Sequence, residues 1–239
     1  MLGCSWHRHS DRSSYMAGVS RIRELIASGD LFQANLTSCT SSSIGPSVGN
    51  LELYGRLRDR CPAPFSGVLI GNGAAAGEAV LSTSPERFLQ VETDGAVQTR
   101  PIKGTRPRHT DPFIDDDLAA DLVCSAKDRA ENVMIVDLLR NDLGRVCRPG
   151  SVQVPELVRL ESYARVHHLT SVVTGQLQPQ TTWVDLLEAS WPGGSITGAP
   201  KLRACQRLHE LETQGRGPYC GSLLHLDWNG RFDSNILIR

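Results

Sequence analysis

Apolar and polar positions along the chain switch between a period near 3.6 and a period near 2, with no segment repeating another. The first periodic stretch predicts a helix over residues 15–28 that stops at Gly29-Asp30. "LFQANLTS" then reads as a strand. Past a Ser/Gly-rich loop at 41–49 lie a helical pattern over 51–60 and apolar strand segments at 65–70 and 80–82. Strands at 88–91 and 96–99 flank Asp94-Gly95, a hairpin signal. The run Asp115-Asp116-Asp117 is expected to be solvated charge in a loop or at a helix start, with a long helix beginning near Ala119 or Lys127. A strand-rich portion over 152–176, a helix over 183–189, a glycine-rich turn, a helix over 200–211 and a hairpin turning at Asn229-Gly230 complete the pattern. Helix and strand are mixed throughout and no linker intervenes. The expected fold is α+β, one domain over 1–239 with large, mostly antiparallel β-sheets and helices outside.

Three stretches break the pattern in chemically informative ways. Placing "KDRAENVMIVDLLRNDLGRV" at about 100° per residue puts Glu131 on the apolar stripe of Met134, Ile135 and Leu138. Asp128 falls one turn earlier at the edge of that stripe and Asp142 returns to the same side, while Arg129, Asp137 and Arg140 point elsewhere. A carboxylate on an apolar stripe needs a partner. Two partners suit it: a basic side chain from a neighbouring element, or Mg²⁺, a hard cation that prefers carboxylate and substrate oxygens.

The second stretch, "WPGGSITGAPKLRACQRL", sets glycines, a serine and a threonine before a helix expected to begin at Pro200. Exposed backbone N–H groups at such a turn suit an anion, although the spacing of a phosphate loop is absent. The third, "QTRPIKGTRPR", holds Lys103 between Ile102 and Gly104 with Arg100, Arg106 and Arg108 close in sequence.

Composition narrows the class of partner. A chain of 239 residues, 40% hydrophobic and 21% charged, is long enough to bury a sizeable core. A formal net charge of -1 leaves no electrostatic footprint for nucleic acid, and no basic run suggests a membrane surface, so small molecules are the expected partners. The seven cysteines are scattered without a C-x-x-C pair, which signals neither a disulfide framework nor zinc and points to a reducing cytoplasm. Cys4, His7 and His9 cluster near the start and are set aside as accidental. No secretory core is present, and no apolar run approaches the roughly 20 residues that span a bilayer.

"SPERF", "PIKGTRPR", "DRAENVMIVDLLRNDLGRV", "VHHLTSVVTGQL" and "PGGSITGAPK" occur here in the order found in the chorismate-utilising enzymes, and the resemblance runs from about Tyr15 to the last residue. Within that family Lys103 resembles the branch that makes 4-amino-4-deoxychorismate, since anthranilate synthases usually carry alanine there. Gln33 stands where the isochorismate and salicylate synthases have a water-activating lysine, a base that glutamine cannot replace.

The resemblance implies that Lys103 adds to C2 of chorismate as the C4 hydroxyl leaves, that Glu86 of "SPERF" is the general acid, and that ammonia from a glutamine amidotransferase partner enters at C4. It implies Glu131 as a Mg²⁺ ligand, with Asp128 in the accompanying acidic position. Substrate holding falls to Arg239 and Tyr219 at the enolpyruvyl carboxylate, to His168 near the ring, and to Ser195 with the backbone of its neighbour Gly194. Relatives begin earlier and continue beyond "NILIR" into a strand and helix with another Mg²⁺ glutamate, so the chain is expected to be an incomplete catalytic domain. Anthranilate formation, or a remnant that only binds a partner, are the alternatives.

Overall fold

The computed structural model describes residues 5–45 and 48–239, so Cys4 and two positions of the Ser/Gly-rich loop, Pro46 and Ser47, lie outside the described residues. The chain forms two compact units, one of residues 1–85, 192–222 and 236–239, the other of residues 86–191 and 223–235.

The first unit opens with β1 (Trp6–Arg8), followed by α1 (Arg12–Ala27), β2 (Gln33–Ala34), β3 (Thr40–Ser42), α2 (Asn50–Arg60), β4 (Phe65–Ile70) and β5 (Ala79–Ser84). Helix α1 begins where Asp11 accepts a hydrogen bond from the Ser14 amide at 2.7 Å, which satisfies one of the amides a helix start leaves unpaired. Gly18, Ile22 and Leu25 make its buried face, and the turn at Gly29-Asp30 follows, as the pattern predicts. β1 pairs with β3 and β4 with β5, each antiparallel.

The second unit carries β6 (Arg87–Val91), β7 (Ala96–Thr99), β8 (Ile102–Pro107), α3 (Pro112–Cys124), α4 (Ala126–Gly144), β9 (Gln153–Ser162), β10 (Val166–Gln176) and α5 (Trp183–Ser190). The chain then returns to the first unit for α6 (Gly194–Thr197), β11 (Gly198–Ala199) and α7 (Lys201–Leu211), and the hairpin β12 (Leu224–Leu226) and β13 (Phe232–Asn235) belongs to the second.

The second unit is built on a seven-stranded sheet in the order β12-β13-β6-β7-β10-β8, with β9 also paired to β10, and every ladder is antiparallel. Strand β10 organises it. One edge pairs with β9, and the other pairs with β8 at its start and β7 at its end. Helices α3 and α4 pack on this sheet, burying Leu122, Ile135, Val136, Leu139 and Leu143 with Leu169 and Val173 of β10. The mixture of helices and antiparallel sheets is the α+β class that the periodicity predicts.

Three expectations need correction. The "LFQANLTS" strand shrinks to two residues, because its partner β11 is itself two residues long, lying between the α6 turn and Pro200, which has no N–H to give. At this crossing a Cβ on Gly198 would lie 2.2 Å from the Gln33 carbonyl oxygen, so only glycine allows the approach. The long helix itself begins where the later of its two expected starts lies, beside Lys127: α4 follows Ser125, whose hydroxyl accepts from the Asp128 amide at 3.3 Å, and α3 is a separate helix that ends at the same residue.

Asp115 is buried in α3 rather than solvated. It accepts two bonds from Arg108 Nε at 2.9 Å, one from the His109 amide at 2.8 Å, and lies 3.1 Å from His167 Nε2. The Arg108 guanidinium, seconded by the His109 amide, holds its carboxyl far below the usual aspartate range. Last, the buried face of α4 is Asn132, Ile135, Val136, Leu139, Asp142 and Leu143. The stripe is rotated one residue from the prediction, which leaves Glu131 on a half-buried shoulder with Met134 and Leu138.

The cysteines among the described residues are all free thiols, and among those residues no helix is long and apolar enough to cross a membrane.

Candidate active site

Lys103 lies in β8 at an irregularity in its pairing with β10. Thr105 faces His168 across the ladder and Ile102 faces Thr170, so three steps along β8 match two along β10. The extra residue falls at Lys103-Gly104, and Gly104 takes up the distortion with φ +84. Such a bulge redirects the side chains beside it. Gly104 has a second reason to be glycine, since a Cβ there would sit 2.9 Å from both Asp128 Cβ and Leu122 Cδ1. The missing side chain thus lets α4 press Asp128 against the strand one residue from Lys103.

Thr105 Oγ1 lies 2.9 Å from His168 Nδ1, and the buried His168 ring meets Tyr163 edge-on at 5.7 Å. Behind them the Tyr163 hydroxyl donates to Glu161 at 2.7 Å and Arg100 pairs with the same carboxylate at 2.5 Å. Burial pushes the Glu161 carboxyl up, but the hydrogen bond from Tyr163 and the charge of Arg100 outweigh it, and the group stays below its ordinary value. Each arginine flanking Lys103 has its own carboxylate: Arg100 has Glu161, Arg106 has Asp121 at 2.7 Å, and Arg108 has Asp115 at 2.7 Å.

Asp128 and Glu131 stand one turn apart on α4. Arg106 reaches Asp128 at 3.4 Å, and Lys127 approaches Glu131 at 3.9 Å from a side chain that is 82% exposed. Neither contact is close. Among the described residues no group of three or more His, Cys, Asp or Glu side chains gathers around a metal position. The protein therefore offers two carboxylates, a donor set that fits a cation keeping water and substrate oxygens in the rest of its shell. Glu86 is buried immediately before β6.

Asn132, which the periodicity does not single out, is fully buried. Its Nδ2 donates to the Leu169 carbonyl at 3.2 Å and its Oδ1 accepts from Ser171 at 2.5 Å, tying α4 to β10 beside His168. A correctly phased stripe would have found it, because Asn132 is the polar member of the buried face.

The remaining predicted residues belong to the first unit. Gly194 and Ser195 are buried in α6. Tyr219 and Arg239 come together at a cavity of about 270 Å³ that Ser82 and Leu237 also line. Ser82 Oγ and the Thr83 amide hold the Arg239 carbonyl at 2.6 and 3.0 Å, which fixes the backbone that carries the guanidinium. Burial, with the neighbouring Cys220 thiol, raises the Tyr219 phenol above its ordinary value. A larger cavity of about 490 Å³ opens over Thr37, Glu212, Arg216 and Tyr219.

The model of the chorismate binding enzyme family matches residues 3–239. The chain is 46% identical over 239 residues to aminodeoxychorismate synthase component 1 of Salmonella typhimurium, covering 100% of this chain and 51% of that protein. It is 44% identical over 228 residues to the chloroplastic aminodeoxychorismate synthase of Arabidopsis thaliana, covering 95% of this chain and 24% of the plant protein. Among solved structures, anthranilate synthase component I from Streptococcus pneumoniae superposes with a TM-score of 0.87 at 35% identity, over 99% of this chain and 51% of that one. The chain thus spans about half the length of the bacterial relative it matches.

Proposed function

The chain belongs to the chorismate-binding enzyme family, and from that premise we propose that the protein is a cytoplasmic aminodeoxychorismate synthase component 1, converting chorismate and ammonia to 4-amino-4-deoxychorismate on the way to p-aminobenzoate and folate. The observation that carries this reading is Lys103 at the β8 bulge, one residue from the Gly104–Asp128 contact and two from the Thr105 that holds His168. The relatives named as aminodeoxychorismate synthases support it.

The side chains divide the work. Lys103 Nζ, in its neutral form, adds to C2 of chorismate as the C4 hydroxyl departs with a proton from Glu86. Ammonia then bonds to C4 and the C2–lysine bond breaks, which restores the ring double bond and frees Lys103. A glutamine amidotransferase subunit is the source of the ammonia. His168, its ring oriented through Nδ1 by Thr105, lies near the ring, while Arg239 with Tyr219 and Ser195 with the Gly194 backbone hold the substrate. A planar guanidinium suits the enolpyruvyl carboxylate because it can make two parallel hydrogen bonds. Glu131, with Asp128 beside it, would hold Mg²⁺, which when bound supplies a positive centre for the ring carboxylate.

The test is Lys103→Ala in the protein at its full natural length, with chorismate, Mg²⁺ and ammonium supplied and products followed by mass. Aminodeoxychorismate formation is expected to be abolished or sharply slowed. Unchanged turnover would remove Lys103 from the chemistry, and anthranilate as the product of the unaltered protein would overturn the assignment.

A further inference from the structure

Arg216 has no part in the chemistry above, yet it is among the most fully engaged side chains of the first unit. Its Nε donates to Glu212 Oε2 at 3.0 Å and its Nη2 to Glu212 Oε1 at 2.7 Å, a bidentate pair whose side chains are 16% and 9% exposed. The remaining donors go to the main chain and to sulfur. Nη2 reaches the Asn35 carbonyl at 2.8 Å, and Nη1 reaches the Ile196 carbonyl at 2.8 Å and Cys220 Sγ at 3.4 Å. A guanidinium has five N–H groups, and here five acceptors take them. Nothing is left over for a substrate carboxylate, so whatever Arg216 contributes passes through the residues it holds.

Those residues converge on one turn. The Ser195 carbonyl accepts from Asn35 Nδ2 at 3.0 Å, the Ile196 carbonyl from Arg216 at 2.8 Å, and the Thr197 carbonyl from the Asn35 amide at 2.9 Å. Three successive carbonyls of α6 are thus pinned from one side, by Arg216 and by the Asn35 that Arg216 itself grips. Glu212 anchors the guanidinium and is anchored in turn by Thr37, whose amide and hydroxyl donate to Oε1 at 3.1 and 2.9 Å. Burial alone would raise the Glu212 carboxyl, but the bonds from Arg216 and the Thr37 amide keep it below its ordinary value, so the brace stays charged.

The Tyr219 loop is tied to the same guanidinium through Cys220, whose Sγ accepts from Nη1, and main-chain bonds complete the connection. The Tyr219 amide donates to the Arg216 carbonyl at 3.1 Å, and the Cys220 amide donates to the Leu237 carbonyl at 2.8 Å, two residues before Arg239.

We propose that Arg216, with Glu212 and Asn35, is a positioning residue that sets the Ser195 turn and the Tyr219 loop in one fixed relation for chorismate binding. This rests on the assignment of Ser195 to the substrate. Arg216→Lys keeps the charge but replaces a planar fork of five donors with a flexible group of three, so it cannot reproduce both carbonyl clamps and the bidentate pair. Asn35→Ala removes the clamp on the Ser195 carbonyl and leaves the Arg216–Glu212 pair intact. Ser195→Ala serves as the reference.

Steady-state kinetics of the full-length protein, with thermal midpoints as the folding control, separate the outcomes. The expected result is that Ser195→Ala raises the chorismate KM, that Arg216→Lys and Asn35→Ala each raise it about tenfold or more, in line with the cost of an ångström-scale misplacement, and that Arg216→Lys adds much less in the Ser195→Ala background. If Ser195→Ala raises KM while the other two variants lower only the thermal midpoint or the active fraction, the brace is structural and the proposal is overturned. An unchanged KM in Ser195→Ala would refute the assignment of Ser195 itself. Should Arg216→Lys fail to fold, Asn35→Ala decides by the same criterion.

Discussion

Gly104→Ala is the sharpest test of how the second unit assembles its candidate site, because two independent penalties coincide at one atom. At φ +84 an alanine occupies the left-handed region, which costs a non-glycine residue about 1–3 kcal/mol. Its Cβ would also lie 2.9 Å from Asp128 Cβ, which is fixed to the α4 backbone, and from the terminal methyl Cδ1 of Leu122, which is fully buried, and overpacking of this kind costs about 1–3 kcal/mol. Together these give about 4 kcal/mol, within a range of roughly 2–6, or a thermal midpoint lowered by about 8–16 °C at the sensitivity usual for chains of this size. Relief of the contact requires α4 to move off β8 and carry Asp128 with it, so weaker chorismate turnover should accompany the lost stability. Urea denaturation of the two proteins, with the m-value checked for constancy, measures the energy. A change smaller than about 0.5 kcal/mol, the range of ordinary surface substitutions, would refute the claim that glycine is required at this contact.

Three further outcomes are expected. Glu131→Gln should weaken the Mg²⁺ dependence of activity with little effect on the circular dichroism spectrum, since Glu131 is on a half-exposed shoulder; equal apparent Mg²⁺ affinity in the two proteins would favour a simple ion pair with Lys127. Asn132→Ala should cost about 2–4 kcal/mol in denaturant titration, because it takes away a donor to the buried Leu169 carbonyl and the acceptor of the Ser171 hydroxyl together; a loss under about 1 kcal/mol would mean that water or repacking replaces both bonds. Asp115→Asn should destabilise the protein at neutral pH and by less in acid. The Asp115 carboxyl has a depressed folded value, so its contribution is complete above the ordinary aspartate value of 3.8 and fades as pH falls through the folded value; a gap between the two proteins that stays constant from pH 7 to pH 2 would contradict this.

What the sequence made legible was whatever local chemistry decides. Asp94-Gly95 and Asn229-Gly230 sit at the turns of real hairpins, and the apolar run at Phe65–Ile70 is a strand end to end. What it hid were decisions taken by distant partners. Asp115 looked like one of three solvated carboxylates until Arg108 and His167, brought in by β8 and β10, enclosed it. The strand expected in "LFQANLTS" is cut short by the length of its partner Gly198–Ala199, which comes from a distant part of the chain. Met134 and Leu138 beside Glu131 are as apolar as Val136 and Leu139, so periodicity alone does not choose between two phases of the α4 stripe one residue apart. Nothing local in the sequence distinguishes Arg216, an arginine that braces a turn, from one that faces water.

The junction at Ser125, which ends α3 and begins α4 in a single residue, makes the chain between β8 and α4 a measuring device. Each residue added or removed ahead of Asp128 would turn α4 by about 100° and shift it by about 1.5 Å along its axis. One insertion would therefore carry Asp128 away from Gly104 and turn Glu131 to another side, even if both helices formed without loss. Over this stretch the length itself, and not only the residues that fill it, has become part of the site.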